Sequence, residues 1–396
     1  MHLLITISRI IVGILFIFSG LIKANDPLGL SYKMQEFFEV WGMHWMNDFT
    51  LALSLIMIAF EIVAGVAVLV GWKMRLFSWL LLLLIIFFTF LTGYALFSGE
   101  IRECGCFGDC IPLTADQSFL KDLVLLALIG LIFLNRNKIK PALNTRNCIL
   151  ILFFSTVFSV AFMWHVLVHL PIMDCLPYKV NNNIPEKMQI PAGAIPDSTV
   201  ISFVYNKNGK EVEFTASEFP EDFDDSIYKF VKRYDKVVRQ GNAVPAIKDF
   251  SLTTFYGNDT TQALLQQDRE QLYIFLKDDY AAGNWTEELE AIMKIAGQKN
   301  IDGFLVTSLP METLRENPPQ AFTLLTPLQC DVVAIKTAAR TNPMLMRVKG
   351  GTIIEKWSYA DFDRAFVKIS QQPGNPPAPE APEAIAPQQP DSTTNQ

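Results

Sequence analysis

The chain of 396 residues is 51% hydrophobic and carries 33 Lys and Arg against 40 Asp and Glu, with its apolar residues crowded into the first 170 positions. That clustering excludes a uniformly soluble protein. Residues 1–170 hold 11 basic against 10 acidic side chains and the remainder 22 against 30, so the second half is acidic, which argues against nucleic acid or anionic lipid as its partner.

A membrane span needs roughly 20 apolar residues at about 1.5 Å each. Five segments meet or approach this, at about 3–22, 50–70, 77–97, 119–135 and 148–170, the fourth being the shortest. The bilayer is therefore the first expected partner. The first run has no basic n-region and no small-x-small cleavage site before Lys23, so it reads as a retained helix and not a cleaved signal. Lys73 and Arg75 follow the second span, and Arg136, Lys138, Lys140 and Arg146 follow the fourth. The positive-inside rule places both basic loops in the cytoplasm. The expected topology is a multi-pass bacterial inner-membrane protein with a cytoplasmic amino terminus and a periplasmic carboxy-terminal domain.

In the first span Arg9, Gly13, Phe16, Gly20 and Lys23 recur at helical spacing and share one face, and the small residues mark it as bundle-facing. Glu61 interrupts the second span in I-A-F-E-I-V-A-G. Two antiparallel helices bring Arg9 and Glu61 to comparable depth, so an ion pair between them is expected. It would serve as a polar site or proton path, or lock the two helices structurally. Arg9 could also snorkel to the inner surface.

Between the third and fourth spans lies E-I-R-E-C-G-C-F-G-D-C-I-P, with Cys104, Cys106 and Cys110 inside seven positions. Cys175 follows the fifth span in L-P-I-M-D-C-L-P-Y, on the same expected side of the membrane. Thiol exchange needs an accessible thiolate and a second thiol to resolve the mixed disulfide. Arg102 favours a thiolate here, Glu100, Glu103 and Asp109 oppose it, and Gly105 and Gly108 permit tight turns. Four cysteines allow three full pairings, and a redox-active loop and a static staple both fit. A metal fits least, because C-x-C-x3-C is not a familiar ligand spacing and the loop has no histidine. His165 and His169, at i and i+4, could hold a metal or a quinone oxygen, or simply end a helix; a quinone is the one cofactor suggested here. Cys148, leading C-I-L-I-L-F-F, reads as a small buried hydrophobe.

Four stretches in order, R-I-I-V-G-I-L-F-I-F-S-G-L-I-K-A, F-E-I-V-A-G-V-A-V-L-V-G, C-G-C-F-G and S-F-L-K-D-L-V-L, resemble the DoxX superfamily and within it the MauE branch of redox-associated membrane proteins. The resemblance covers about residues 1–136. It implies a four-helix membrane bundle and, for the MauE branch, a part in methylamine utilisation through maturation of a disulfide-rich dehydrogenase. Nothing else in the chain points to methylamine.

After a polar linker, V-N-N-N-I-P-E-K-M-Q-I-P, the segment V-I-S-F-V-Y-N-K-N-G-K-E-V-E-F-T reads as a hairpin turning at Asn208 and Gly209, with a helix expected near 226–239. From about 241 to 370 the expected order is strand, helix, strand, helix, strand, strand and helix, beginning with I-K-D-F-S-L-T as a strand and ending on strands joined by Gly350 and Gly351. G-N-A-V-P-A-I-K-D-F-S-L and N-P-M-L-M-R-V-K-G-G-T resemble the thioredoxin-like fold in its peroxiredoxin or lipoprotein-thioredoxin variants. The resemblance implies that Pro343 stands at the cis-proline position. This chain departs from that family after L-Y-I-F-L-K, where D-D-Y-A-A-G-N-W stands in place of C-x-x-C, so no thiol exchange is expected at that site. Cys330, in the helical-looking L-Q-C-D-V-V-A-I, reads as a buried small residue, and the proline-rich tail from about 371 as disordered.

The fold class expected is thus an α-helical transmembrane bundle, four helices of the DoxX/MauE kind over 1–136 plus a fifth span at 148–170, followed by an α/β thioredoxin-like extracytoplasmic domain over 241–370. Residues 171–240 are assigned to a linker with a small hairpin and helix. Function is read as thiol-disulfide exchange or maturation of an extracytoplasmic client protein through the cysteine loop, with a separate thiol-redox partner conceivable. The alternatives are a membrane binding or assembly protein with structural disulfides, or a solute- or proton-conducting bundle using Arg9, Glu61 and Lys23.

Overall fold

The computed structural model describes residues 2–98, 105, 107–196, 198–207, 209–215, 217–220, 223–224, 226–239, 241, 243–277, 285–315 and 318–376. Cys104, Cys106, the D-D-Y-A-A-G-N stretch at 278–284 and the tail from 377 lie outside the described residues, so the expectations placed on them carry no structural account.

Helix α1 (His2–Asn25) passes through Asp26 into α2 (Pro27–Val40). Asp26 caps α2 by accepting from the Gly29 amide at 3.1 Å, and Pro27 takes the first helical turn, where no amide is needed. Helix α2 had no counterpart in the sequence reading, because its mixed S-Y-K-M-Q-E-F-F-E-V is too short and too polar to register as a span. Helix α3 (Thr50–Val70) stops at Gly71, whose φ of 74° closes it with a left-handed cap. Helices α4 (Met74–Ser98), α5 (Ala115–Leu134) and α6 (Thr145–Val168) complete the first half. The helices α1, α3, α4, α5 and α6 are each long and apolar enough to cross a membrane, which makes this a multi-pass membrane protein.

Glycines set the closeness of α1 and α3. A Cβ on Gly13 would lie 2.4 Å from Leu69 Cγ, and one on Gly20 would lie 2.5 Å from Ile62 Cγ1. Only hydrogen fits at these crossings, so the backbones approach closely enough for polar side chains to reach across. The bundle core is then filled by fully buried Val12, Val68, Leu81, Ile85 and Ile129. At one end the two basic loops meet: Arg75 Nε donates to Asn137 Oδ1 at 2.9 Å, and the Ala142 amide to the Val70 carbonyl at 2.9 Å.

The second half contains two sheets. After α7 (Ile184–Lys187), strands β1 (Ser198–Lys207), β2 (Lys210–Thr215) and β3 (Tyr228–Arg239) form an antiparallel sheet in the order β2-β1-β3. The helix expected near 226–239 is therefore strand β3. The aromatic residues decide it: the Tyr205 ring of β1 meets Phe214, Phe223 and Phe230 with centroids 5.2, 5.1 and 5.6 Å away, contacts a pleated surface provides.

The larger unit runs α8 (Thr261–Leu265), β4 (Glu270–Leu276), α9 (Trp285–Gln298), β5 (Asp302–Thr307), α10 (Met311–Arg315), β6 (Thr326–Gln329), α11 (Val332–Ala338), β7 (Met344–Lys349), β8 (Thr352–Ser358) and α12 (Phe362–Gln371). Its sheet order is β6-β5-β4-β7-β8, with β4, β5 and β6 parallel and β7 and β8 antiparallel. Strand β4 is central and alternates its side chains between two cores, Tyr273 and Phe275 toward one and Leu272, Ile274 and Leu276 toward the other. The segment I-K-D-F-S-L-T, expected as a strand, is irregular: Phe250 and Leu252 are buried, but in place of a continuous ladder its backbone makes isolated bridges at Thr253 and single bonds from the Ile247 amide to Lys187 and from the Thr260 amide to Leu252. Asp249, at φ 53°, breaks the extended run before it can pair.

Residues 171–184, the first part of the 171–240 stretch assigned to a linker, instead run along β8, with His169 just before them. His169 Nδ1 is 2.9 Å from Asp361 Oδ2, Lys356 Nζ is 2.8 Å from Asp174 Oδ2, and the amides of Asn181 and Ile184 donate to the Ile353 and Gly351 carbonyls. Tyr178 and Ile184 are buried in the sheet's own core. Polar composition suggested a tether, but two well-placed apolar side chains and main-chain pairing hold the segment in the fold.

Candidate functional site

The cysteine loop sits where the bundle meets the α/β unit. Gly105 and Gly108 both have positive φ, 63° and 55°, and the Gly108 amide donates to the Gly105 carbonyl at 3.0 Å. This turn delivers Cys110 to Cys175, and the two sulfurs are bonded across a sequence separation of 65 residues. Of the pairings left open by the sequence, this one joins the loop to the irregular segment after α6. The Asn25 side chain reinforces the junction by bonding both the amide and the carbonyl of Met173.

Directly beside the loop, Arg340 reaches in from the end of α11. Its Nε lies 3.0 and 2.8 Å from the two carboxylate oxygens of Asp26, and its Nη2 lies 3.1 Å from Asp109 Oδ2, while the guanidinium faces the Tyr32 ring at 5.4 Å. Burial alone would lower the Arg340 pKa, but Asp26 and Asp109 outweigh it and raise it. At Lys356 the balance falls the other way. Burial lowers its pKa and Asp174 only partly offsets that. Lys277, closing β4, donates its amide to Asn342 Oδ1 at 3.0 Å and sets Nζ 3.4 Å from Tyr32 Oη, so the carboxyl end of the central strand faces α2.

Inside the bundle the polar residues pair differently from the expectation. Glu61 is bonded to Lys23 at 2.6 Å and accepts from Ser19 Oγ at 3.1 Å, with Lys23 and Glu61 only 4% and 1% exposed. Arg9 does not meet Glu61. Its Nε and Nη2 donate to the Val68 and Leu69 carbonyls at 3.1 and 3.0 Å. The reason is depth: those carbonyls lie in the last turn of α3, where carbonyl lone pairs remain available even though the Gly71 amide also donates to Val68, and Arg9 is the donor level with them, whereas Lys23 is level with Glu61. A second buried acid, Asp122 on α5, is bonded to Lys121 at 2.6 Å and accepts from Thr92 Oγ1 at 3.1 Å. Asp122 lies in S-F-L-K-D-L-V-L, one of the stretches that carry the family resemblance. An acid inside an apolar run was the signal that could have singled out Asp122.

The remaining sequence candidates fall as follows. Pro343 opens the approach to β7 and its peptide bond to Asn342 is cis. The His165 and His169 rings lie tilted to each other with centroids 4.6 Å apart, but His169 is bonded to Asp361, and among the described residues no group of three or more His, Cys, Asp or Glu is placed to hold a metal. Burial would raise the Asp361 pKa, yet the bonds from His169 and Ser358 hold it below the usual carboxylate value. Cys330 lies between β6 and the Asp331 cap of α11, not within a helix, and is buried. Its thiol is pushed up to about 12 by burial. Cys148 is fully buried with its Sγ 3.5 Å from the Leu143 carbonyl.

Residues 1–135 match the family described as methylamine utilisation protein MauE, and residues 199–240 match a domain of unknown function (DUF8463). The chain is similar to Protein TlpB of Flavobacterium psychrophilum, 27% identical over 133 residues that make up 32% of this chain and 35% of that protein. It thus spans about a third of the length of that relative. No solved structure matches the chain.

Proposed function

We propose that this is a multi-pass membrane protein of thiol-disulfide chemistry, in which the loop exchanges electrons and the α/β unit holds a client or redox partner above it. The observation that carries this reading is the bond between Cys110 and Cys175. Cys110 and Cys175 are bonded to each other as a staple, which leaves Cys104 and Cys106 as the C-x-C pair of the same loop. The staple and exchange readings therefore apply to different cysteines and do not compete. The match of residues 1–135 to the MauE family supports a redox association, and methylamine utilisation is the substrate context that family suggests.

The α/β unit reads as a thioredoxin-like module without a catalytic pair. The parallel run β6-β5-β4, continued by the antiparallel β7 and β8 with β4 at the centre, supports that assignment. The end of β4, where such a module would carry its cysteines, faces α2 through Lys277 and Tyr32. In this reading the module has exchanged catalysis for docking over the loop. The two basic loops at the far end of the bundle support a cytoplasmic face there, with the loop and the α/β unit in the periplasm of a bacterial inner membrane.

The test is a redox titration of the full chain in nanodiscs, with each cysteine labelled by maleimide at fixed glutathione ratios. Cys104 and Cys106 should interconvert reversibly, and Cys110 and Cys175 should stay unlabelled throughout. Loop thiols that keep one state across the whole range would refute exchange and leave a binding or assembly role with a structural disulfide.

A further inference from the structure

The end of the bundle away from the cysteine loop carries charge of one sign. Seven of the 11 Lys and Arg among residues 1–170 stand there, in the two basic loops, at Arg9 and at Arg146 of α6, and no Asp or Glu occurs at 1–25, 62–99 or 123–173. Arg9 is taken up by the α3 carbonyls. At the seam between α4 and α5 the protein itself holds the basic groups in place. Arg75 Nε donates to Asn137 Oδ1 at 2.9 Å, and among the described residues neither of its Nη atoms has a protein acceptor. Arg136, the neighbour of Asn137 in the chain, lies with its guanidinium 4.1 Å from the Phe133 ring centroid and its Nη1 2.8 Å from the Phe133 carbonyl, so its direction is fixed from both sides. Lys138 follows, exposed, with Nζ 3.4 Å from Asn135 Oδ1.

An apolar stripe runs down α4 from this cluster. Leu76, Trp79, Leu83 and Ile86 recur at spacings of three, four and three, and all four are exposed. Trp79 stands one turn from Arg75, with its ring edge-on to Phe133 at 4.6 Å. The aromatic pair thus separates the cations from acyl-chain depth, which is where tryptophan settles in a membrane. We propose that the α4–α5 seam binds one anionic diacyl phospholipid, its phosphodiester between Arg75 and Arg136 with Lys138 at the rim, and one acyl chain along the α4 stripe. The planar fork of a guanidinium matches phosphate oxygens, and no carboxylate from these helices competes for it. A zwitterionic head would bring an ammonium group into a cluster of three cations with no acid to receive it, so the charge balance selects a head of the phosphatidylglycerol type.

This site is independent of the thiol reading above. It has one geometric consequence for the loop all the same. Helix α4 ends at Ser98 and α5 begins at Ala115, so the two helices that the lipid joins at one end of the bundle are the two that carry the cysteine loop at the other. A lipid held by groups from both helices pins the far ends of the loop's two stems.

The experiment uses the full chain in neutral detergent, incubated with equimolar phosphatidylglycerol and phosphatidylcholine of the same chains and read by native mass spectrometry. Wild type should retain phosphatidylglycerol in preference, and Arg75→Gln with Arg136→Gln should weaken that retention by roughly tenfold or more. Lys140→Gln with Arg146→Gln removes the same charge from the same end but off the seam, since the Lys140 carbonyl lies beside Gly71 and α6 packs on α1 and α3, and should leave the preference nearly unchanged. In nanodiscs, phosphatidylglycerol with brominated chains should quench tryptophan fluorescence more than brominated phosphatidylcholine does, and Trp79→Phe should remove most of that difference. No preference for phosphatidylglycerol in wild type overturns the site. Equal losses in the two double variants show diffuse attraction to a basic rim and overturn it too. Displacement by inorganic phosphate at matched ionic strength, as effective as that by phosphatidylglycerol, reduces it to an anion site and overturns the lipid. If the seam variant does not fold, the brominated-lipid comparison between wild type and Trp79→Phe decides, and an equal difference in both overturns the proposal.

Discussion

Arg340 and Asp26 are 314 residues apart in sequence and 2.8 Å apart in the fold. One belongs to the α/β unit and the other to the turn between α1 and α2, so a single buried guanidinium joins the two halves of the molecule beside the cysteine loop. Removing one partner of a buried pair strands the other charge, at a cost of about 3–5 kcal/mol. Arg340→Met should therefore expose the α/β unit to protease under conditions where wild type resists. Adding Asp26→Asn and Asp109→Asn should restore part of that resistance. A triple variant as sensitive as the single one would mean that the contact carries no coupling.

For the bundle, the partner of Glu61 is Lys23, and the expected coupling moves with it. Glu61→Gln should lower the thermal midpoint in detergent clearly, and less so in a Lys23→Met background. The same change combined with Arg9→Met should be additive, because Arg9 binds α3 carbonyls and not the carboxylate. Coupling of Glu61 to Arg9 comparable to that with Lys23 would contradict this arrangement.

The disulfide between Cys110 and Cys175 ties the loop to the segment that follows α6. Cys110→Ser and Cys175→Ser, singly or together, should each cost about 2–4 kcal/mol of stability by opening that closure. Equal losses in single and double variants, seen as reduced abundance and earlier melting, are the expected signature. If the double variant were as stable as wild type, the bond would have no structural role.

Cys330 provides a reactivity prediction. Because burial pushes its thiol up to about 12, it stays protonated at pH 8.5, where an ordinary exposed cysteine is substantially thiolate. Iodoacetamide at that pH should leave Cys330 unmodified in the folded chain and alkylate it once the protein is unfolded in guanidinium. Rapid labelling of the native chain would show that the α/β core opens at this point, and Cys330→Ala should cost little beyond a small cavity.

Much of the bundle was legible because span length and apolar runs are set by bilayer thickness, and the structure moves the expected ends by only a few residues. Helix α2 was not legible, since its character comes from packing against α3 and the α/β unit and not from its own periodicity. Strand β3 was missed for the same reason: Y-K-F-V-K-R-Y-D acquires its pairing only from β1. In the site, the loop cysteines and Glu61 stood out as rare residues in telling places. Their partners did not, because the choice between Arg9 and Lys23 depends on helix crossing depth, and the choice of Cys175 for Cys110 depends on the path of a segment that composition marked as a linker. Asp26, Asp109 and Arg340 meet only after three distant segments have folded, and no local pattern encodes that meeting.

The rims of the two sheets differ in a way that bears on how a peptide could be recognised. Main-chain capture of an extended peptide requires an edge strand with free amides and carbonyls in register. On the five-stranded sheet, β8 is already paired at its start with residues 181–184, and β6 is four residues long, contains Pro327 and is bridged at Gln329 by Thr253. The small sheet has β2 and β3 on its outside, and β3 runs twelve residues. An extended segment joining this protein by strand addition would therefore find its ladder within residues 198–239, and the larger sheet would be left to recognise partners through side chains and loop ends alone.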